Sequence, residues 1–198
     1  MQGIILDELG RVLFIKGRLT FMNRILIIGS PGSGKSTLSQ VVGDILSLPV
    51  IHLDRYYWKP NWVSTPKEEW KQFLMDAAGQ DLWIIDGNYN GTLDLRLRYA
   101  DTVIFLDMPR FLCIYRILKR RIHYHGKTRP DLNEACPERL DGSFFRWVWN
   151  YNKHTRQQVL ERLEQLDPNQ RVVVLKNRRE VRAFIHHLAH DREKRDGE

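Results

Sequence analysis

The chain has 198 residues, enough for one domain with a full hydrophobic core and a tight fit for a second. Hydrophobic residues make up 42% of it, but no apolar run is long enough to span a bilayer. Charges interrupt the N-terminal segment where a signal peptide would be hydrophobic. Two cysteines, Cys113 and Cys136, are too few for a secreted disulfide framework. We therefore expect a cytoplasmic protein with reduced thiols and no membrane partner.

The formal net charge of +7 suits either a nucleic-acid partner or an enzyme for phosphorylated substrates. Its distribution is uneven, because the stretch from Arg110 to Pro130 contains seven basic residues and no acidic one. The excess of positive charge is therefore concentrated in one segment. The position of that segment in the fold indicates the partner better than the total charge does.

Residues 1–21 precede a second methionine, Met22, that stands directly before the first apolar run. We expect this segment to be an N-terminal extension outside the core fold. Residues 22–190 are predicted to form a single domain, and the charged residues 191–198 a frayed tail.

A glycine-rich turn joins the apolar run Ile25–Ile28 to a segment with helical spacing of apolar residues. It matches G-x-x-x-x-G-K-S/T, the P-loop pattern, whose backbone N–H groups and helix N-terminus bind phosphate. Lys35 is expected to reach the β- and γ-phosphates of ATP, and the Ser36 hydroxyl to bind Mg²⁺. A glycine-rich turn without nucleotide is the alternative. The predicted nucleotide-binding residues are Gly29, Ser30, Pro31, Gly32, Ser33, Gly34, Lys35, Ser36 and Thr37.

Four more short apolar runs follow, and helical patterns separate them. The predicted strands cover 50–53, 82–85, 102–106 and 172–175, and a long helix is predicted over 148–166. Trp147, Trp149 and Tyr151 are assigned to the core of that helix. Alternating strands and helices predict an α/β/α fold with a five-stranded parallel sheet.

Ligands bind outside the carboxyl ends of the strands in such sheets. This rule gathers the P-loop and three aspartates that follow strands, Asp54, Asp86 and Asp107, at one edge. The edge is therefore the expected site of chemistry.

At these motifs the chain resembles the P-loop small-molecule and nucleotide kinases of the adenylate kinase type. It is more narrowly similar to the adenylate-kinase-related proteins called DNA topology modulation proteins. The resemblance rests on the segments GSPGSGKST, HLDRYYWKPNW, IIDGNY, DMP, RILKRR, GKTRPD and CPER, and extends from Met22 to about Leu188. It implies a P-loop kinase fold with a mobile basic lid, here at about 120–142, and ATP with Mg²⁺ as cofactors.

The resemblance also implies site residues. Asp86 corresponds to an aspartate that helps to hold the Mg²⁺ hydration shell, and Asp54 to one that contacts the acceptor or the metal. A carboxylate in that place orients an acceptor hydroxyl and accepts its proton. The alternative for Asp54 is a turn former or helix cap. The family's arginine for the acceptor phosphate is missing after Gly87, and Arg96 or Arg98 are the candidates to replace it.

The basic segment resembles the lid of these kinases, whose arginines close over the transferring phosphoryl group. The predicted lid arginines are Arg116, Arg120, Arg129 and Arg139; a solvated basic face is the alternative. A zinc site on His123, His125 and Cys136 is not expected, since only three candidate ligands exist. The aromatic residues Tyr56, Tyr57, Trp58 and Trp62 either stack on a base or pack their own loop.

The sequence thus predicts an ATP- and Mg²⁺-dependent kinase for a small acceptor, such as a nucleotide, a nucleoside or another metabolite. An ATP-binding regulator that engages DNA through its basic surface is the alternative, as is an ATPase that acts mainly through interactions. The oligomeric state is not predicted.

Overall fold

The computed structural model describes residues 5–6, 12–13, 15–16, 22–125, 132, 135–136, 142–151 and 153–196. Its strands are β1 (Ile5–Leu6), β2 (Val12–Leu13), β3 (Ile15–Lys16), β4 (Arg24–Gly29), β5 (Val50–His52), β6 (Trp58–Lys59), β7 (Val63–Ser64), β8 (Trp83–Asp86), β9 (Thr102–Leu106) and β10 (Arg171–Leu175). Its α-helices are α1 (Lys35–Leu46), α2 (Leu53–Tyr57), α3 (Lys67–Ala78), α4 (Leu93–Tyr99), α5 (Arg110–His123), α6 (Gly142–Asn150), α7 (Thr155–Glu164) and α8 (Arg178–Asp196).

The central sheet has the strand order β3-β10-β9-β4-β8-β5. The five strands from β10 to β5 are parallel, which confirms the predicted five-stranded parallel sheet. The P-loop strand β4 lies in the middle, between β9 and β8. Parallel strands bring their carboxyl ends to one edge, so the residues that follow β4, β5, β8, β9 and β10 meet there.

Both faces of the sheet are covered by helices. Ile25 and Ile27 of β4 face α1 and α8, whereas Leu26 and Ile28 of the same strand face α3, α4 and α7. A strand that is buried on both faces requires consecutive apolar residues. This explains the apolar runs in the sequences of β4, β8 and β9. Within the part of the chain described, no helix is long and apolar enough to cross a membrane.

Two expectations about the ends of the chain differ from the structure. Ile15–Lys16 of the predicted extension pairs antiparallel with β10 and adds a sixth strand at the sheet edge, because an uncovered edge offers free backbone hydrogen-bonding groups. The helix α8 continues through Asp196, so residues 191–196 are helical instead of frayed.

The prediction of one long helix over 148–166 is wrong, because α6 ends at Asn150 and α7 starts at Thr155. A turn separates them, in which the Lys153 N–H donates to the carbonyl of Asn150. The break exposes Trp147 and Trp149, each about two-fifths exposed, so their assignment to the core is also wrong. Tyr151 is buried, as expected.

Two described residues of the predicted lid, Ala135 and Cys136, contact the segment after β5. The Asn61 N–H donates to the carbonyl of Ala135 at 3.1 Å, and the Cys136 thiol donates to the carbonyl of Lys59 at 3.3 Å. Residues 135–136 therefore lie against β6 and the short 3₁₀ turn that follows it.

Candidate active site

The P-loop connects the carboxyl end of β4 to the first turn of α1. Gly32 has a φ of 76°, and a Cβ atom at this position would overlap the carbonyl oxygen of Cys113 in α5. A side chain is therefore excluded by both backbone conformation and space. Among the described residues no side chain caps the start of α1, and its first turn carries no acidic residue. Its N–H groups are thus arranged to receive an anion.

Lys35 folds back over the loop. Its ammonium group donates to the carbonyl of Gly29 at 2.9 Å and to that of Ser30 at 3.2 Å. Burial lowers the pKa of Lys35 from its ordinary value, while the carboxylates of Asp86 and Asp54 oppose that shift. A phosphate beside this ammonium group would provide the negative charge that favours its protonated form.

Asp86 ends β8 and is almost fully buried. One of its carboxylate oxygens accepts a hydrogen bond from the Ser39 hydroxyl at 2.7 Å and lies 3.0 Å from Nδ1 of His52. These contacts fix the carboxylate at the floor of the site, where it lines the same cavity as Ser36. A carboxylate and a hydroxyl are oxygen donors of the kind that Mg²⁺ takes, so these residues fit that ion.

Asp54 lies in the first turn of α2, one residue beyond the predicted end of its strand. Its carboxylate accepts a hydrogen bond from the Tyr89 hydroxyl at 2.8 Å. It lines the cavity with Asp86. The structure therefore brings together two of the three aspartates that the sequence analysis placed at this edge.

The third, Asp107, has a different partner. Arg156 of α7 donates two hydrogen bonds of 2.7 Å to its carboxylate. This ion pair joins the turn after β9 to the helix that follows the lid region. It stabilises the position of α7 at the carboxyl edge of the sheet.

Arg116 and Arg120 lie one turn apart in α5, and both line the cavity. Arg116 donates to the carbonyl of Ser33 at 2.6 Å and to that of Gly32 at 3.3 Å, so it contacts the P-loop itself. Burial and the nearby Arg178 lower the pKa of Arg116. Arg129 and Arg139 lie outside the described residues.

The sequence analysis did not identify Arg178 and Arg182, which approach the cavity from α8. Arg178 begins the helix that follows the carboxyl end of β10. The rule that gathered the aspartates could have found it, since it applies equally to basic residues after a strand. With Arg116 and Arg120, these residues concentrate positive charge near the P-loop.

The aromatic residues from Tyr57 to Trp62 differ in their surroundings. Tyr57 packs its loop, with its ring centroid 4.6 Å from that of Tyr89 and 5.1 Å from that of Trp70. Trp58 and Trp62 line the cavity and contact each other at 5.4 Å. Trp147 of α6 also lines the cavity.

These residues surround a cavity of about 1500 Å³ that extends from α8 across the P-loop to Trp58 and Trp62. Sites for one small ligand commonly measure roughly 300–1,000 Å³, so this cavity has room for a nucleotide and a second molecule. Within the described residues, no three His, Cys, Asp or Glu side chains cluster as a metal site.

No family model and no curated protein sequence matches this chain. Among solved structures, shikimate kinase from Bacteroides thetaiotaomicron is 17% identical and superposes with a TM-score of 0.51, over 87% of this chain and 99% of that one. The chain shares the fold of that kinase. This likeness confirms the predicted P-loop kinase fold.

Two further matches are weaker. A gluconokinase from Sinorhizobium meliloti 1021 is 17% identical over 88% of this chain and 95% of that one, with a TM-score of 0.48. A deoxyadenosine kinase from M. mycoides is 18% identical over 86% and 98%, with a TM-score of 0.40. Both scores are too low to support an argument. The resemblance to DNA topology modulation proteins is not shown by these matches.

Proposed function

We propose that this protein is a kinase that transfers the γ-phosphoryl group of ATP to a small acceptor. The observation that carries the proposal is the arrangement of one continuous cavity. The P-loop with Lys35, the carboxylates of Asp54 and Asp86, and the arginines of α5 and α8 all line it.

In this mechanism the P-loop N–H groups and Lys35 bind the β- and γ-phosphates. Arg116 and Arg120 neutralise negative charge on the transferring group, which is the main contribution a protein makes to this reaction. Asp54 orients the acceptor. Closure of the lid segment, with the predicted residues Arg129 and Arg139, would exclude water from the reacting atoms.

Ser36 and Asp86 would hold Mg²⁺ with the phosphates of ATP. When bound, the ion would supply positive charge that offsets negative charge on the phosphates of ATP. The contribution of this chain is to hold the Asp86 carboxylate in place through Ser39 and His52. These contacts leave the carboxylate little freedom to turn away.

The proposal is tested by incubating the protein with γ-labelled ATP, Mg²⁺ and pooled nucleosides, nucleotides and sugar acids. Label should appear on an acceptor, and Lys35→Ala should abolish both ATP binding and transfer. Lys153→Ala is the matched control, because Lys153 is an exposed lysine in the turn between α6 and α7. Normal binding and turnover of ATP by Lys35→Ala would refute the assignment.

A DNA-binding regulator, the function the narrower resemblance implies, is the second candidate. It is favoured by the outer face of α5 and α6, where Phe111, Tyr115 and Trp149 are exposed beside Arg110 and Lys119. Arg110 lies over the rings of Phe111 and Trp149 at 5.6 and 5.2 Å. Aromatic and basic side chains together are suited to single-stranded nucleic acid.

Fluorescence anisotropy with a labelled single-stranded oligonucleotide tests the second candidate. Binding that weakens with salt and falls in Trp149→Ala supports it, since phosphate contacts release counterions. Leu82→Ala, which alters an exposed apolar residue elsewhere, is the control. Absence of binding at low salt rejects it.

A further inference from the structure

The acidic residues of the cavity and most of its basic residues follow different strands of the sheet. Arg116, Arg120 and Arg178 follow β9 and β10, on one side of the P-loop strand. Asp54 and Asp86 follow β5 and β8, on the other side. The phosphates of ATP suit the first side, so the second molecule is left with the side that Asp54, Asp86 and Arg55 line.

The segment after β8 has an unusual conformation. Gly87 has a φ of 136°, and a Cβ there would lie 2.9 Å from the Cβ of Leu53. Tyr89 has a φ of 32°, which is rare for a residue with a bulky side chain. Such strain persists only where the surroundings impose it, and it concentrates at functional sites.

Arg96 imposes this conformation. Its side chain is completely buried, and it donates to the carbonyl oxygens of Gly87, Asn88 and Tyr89. A planar guanidinium presents its donors on two separate terminal nitrogens, so it spans three successive carbonyls that the single nitrogen of an ammonium group would have to share. Since these contacts occupy both terminal nitrogens, Arg96 supports the loop and does not take the place of the missing acceptor-phosphate arginine.

The loop conformation that Arg96 supports determines the position of the Tyr89 hydroxyl. Its ring packs against Tyr57 and Trp70, and its hydroxyl donates to one oxygen of Asp54. Burial, and next the charge of Asp54, raise the pKa of Tyr89, so the phenol keeps its proton and remains a donor. This hydrogen bond fixes the rotation of the Asp54 carboxylate.

We propose that the acceptor is an unphosphorylated alcohol and that Tyr89, held by Arg96, positions Asp54 to receive its proton. This inference rests on the proposed kinase function. An alcohol has a proton to lose when it attacks, whereas a phosphate acceptor is largely ionised at neutral pH and needs no base to receive a proton. Trp58 and Trp62 give the alcohol an apolar wall to pack against.

The proposed step conserves atoms and charge. The acceptor oxygen forms a bond to the γ-phosphorus while the bond from that phosphorus to the bridging oxygen of ADP breaks. The hydroxyl proton passes to the Asp54 carboxylate and from there to solvent. The products are a phosphate monoester and ADP.

The acceptor class is tested with matched pairs of compounds that differ by one phosphate: adenosine and AMP, deoxycytidine and dCMP, gluconate and 6-phosphogluconate. The unphosphorylated members should be the acceptors, with rates at least about tenfold above their partners. Preference for a phosphorylated member overturns the inference and leaves the kinase function intact. Orthophosphate as the only labelled product from every pair contradicts both.

The positioning role is tested with Tyr89→Phe, which removes only the hydroxyl. The KM for the alcohol or its kcat should change roughly tenfold, the size of one lost hydrogen bond to a charged group, with a smaller change in the KM for ATP. Tyr99→Phe is the control for loss of an exposed phenol.

Arg96→Lys tests the support of the loop. Its single terminal nitrogen cannot span the three carbonyls as the guanidinium does, so the variant should have a lower melting temperature and should slow transfer to the alcohol more than it weakens ATP binding. Unchanged kinetics toward the alcohol in both Tyr89→Phe and Arg96→Lys would overturn the positioning role.

Discussion

Arg156 donates two parallel hydrogen bonds of 2.7 Å to the carboxylate of Asp107, and these bonds tie α7 to the turn after β9. The pair forms although 156 and 107 lie far apart in the chain, so it constrains the fold across the lid region. The bonds with Asp107 raise the pKa of Arg156. Two-pronged pairs of this kind depend on the planar shape of guanidinium.

We therefore expect Arg156→Lys to lower the free energy of unfolding by about 1–2 kcal/mol, because the charge remains and one of the two bonds is lost. Denaturant titration measures the effect. Arg162→Lys is the control: Arg162 makes a bond of the same length to the largely exposed Asp94, and we expect a change below about 1 kcal/mol there. Equal losses in the two variants would contradict this account.

Gly32→Ala should destabilise the P-loop strongly. The added methyl group would overlap the backbone of α5, and the left-handed backbone alone costs on the order of 1–2 kcal/mol for a residue with a side chain. ATP binding should fall at least tenfold, as measured by calorimetry. Gly91→Ala provides the comparison, because a Cβ there meets no atom within 4 Å. Normal ATP affinity in Gly32→Ala would show that the loop does not hold phosphate in this conformation.

Binding of ATP should weaken at alkaline pH. The pKa of Lys35 is lowered by burial, so the residue loses its charge below pH 10.5, and only the protonated form attracts phosphate. The ATP dissociation constant should therefore rise as the pH passes through the lowered pKa. Lys35→Arg keeps its charge throughout, and its affinity should show no such decline. A pH-independent dissociation constant in the unaltered protein would count against this role of Lys35.

The same shift affects stability. Between the lowered pKa and 10.5 the unfolded chain binds more protons at Lys35 than the folded chain does. The contribution of this residue to the free energy of unfolding should therefore increase with pH over that window. Comparison of the denaturation midpoints of the unaltered protein and Lys35→Met between pH 8 and pH 10 isolates this contribution.

Removal of Mg²⁺ should abolish transfer, and added Mg²⁺ should restore it. Asp86→Asn should raise the Mg²⁺ concentration needed for half-maximal activity, because a charged oxygen donor is replaced by a neutral one. Ser39→Ala removes a hydrogen bond to that carboxylate without removing the charge, and should have a smaller effect. A Mg²⁺ requirement unaffected by Asp86→Asn would exclude Asp86 as a metal-binding residue.

The parallel sheet and the P-loop could be predicted because each depends on a pattern of residues that are close together in the sequence. Strand β4 is apolar from Ile25 to Ile28 since both of its faces are buried there, and the loop after it has the glycine spacing of the P-loop pattern. The same argument placed Asp54 and Asp86 at one edge without any coordinates.

The helix break at Tyr151 and the support by Arg96 could not be predicted in this way. Each depends on contacts between distant segments: Arg156 meets Asp107 after β9, and Arg96 meets the carbonyls after β8. Arg96 looks like one of two basic residues in a polar stretch, and only burial reveals that its guanidinium faces the backbone. Periodicity contains no information on such partners.

The central claim is that this cavity performs phosphoryl transfer, and ³¹P NMR of the protein with ATP, Mg²⁺ and an unphosphorylated nucleoside or sugar acid tests it most directly. The account predicts a new phosphate monoester signal that grows with ADP and is absent in Lys35→Ala. Production of ADP with orthophosphate alone, for every alcohol supplied, would contradict it.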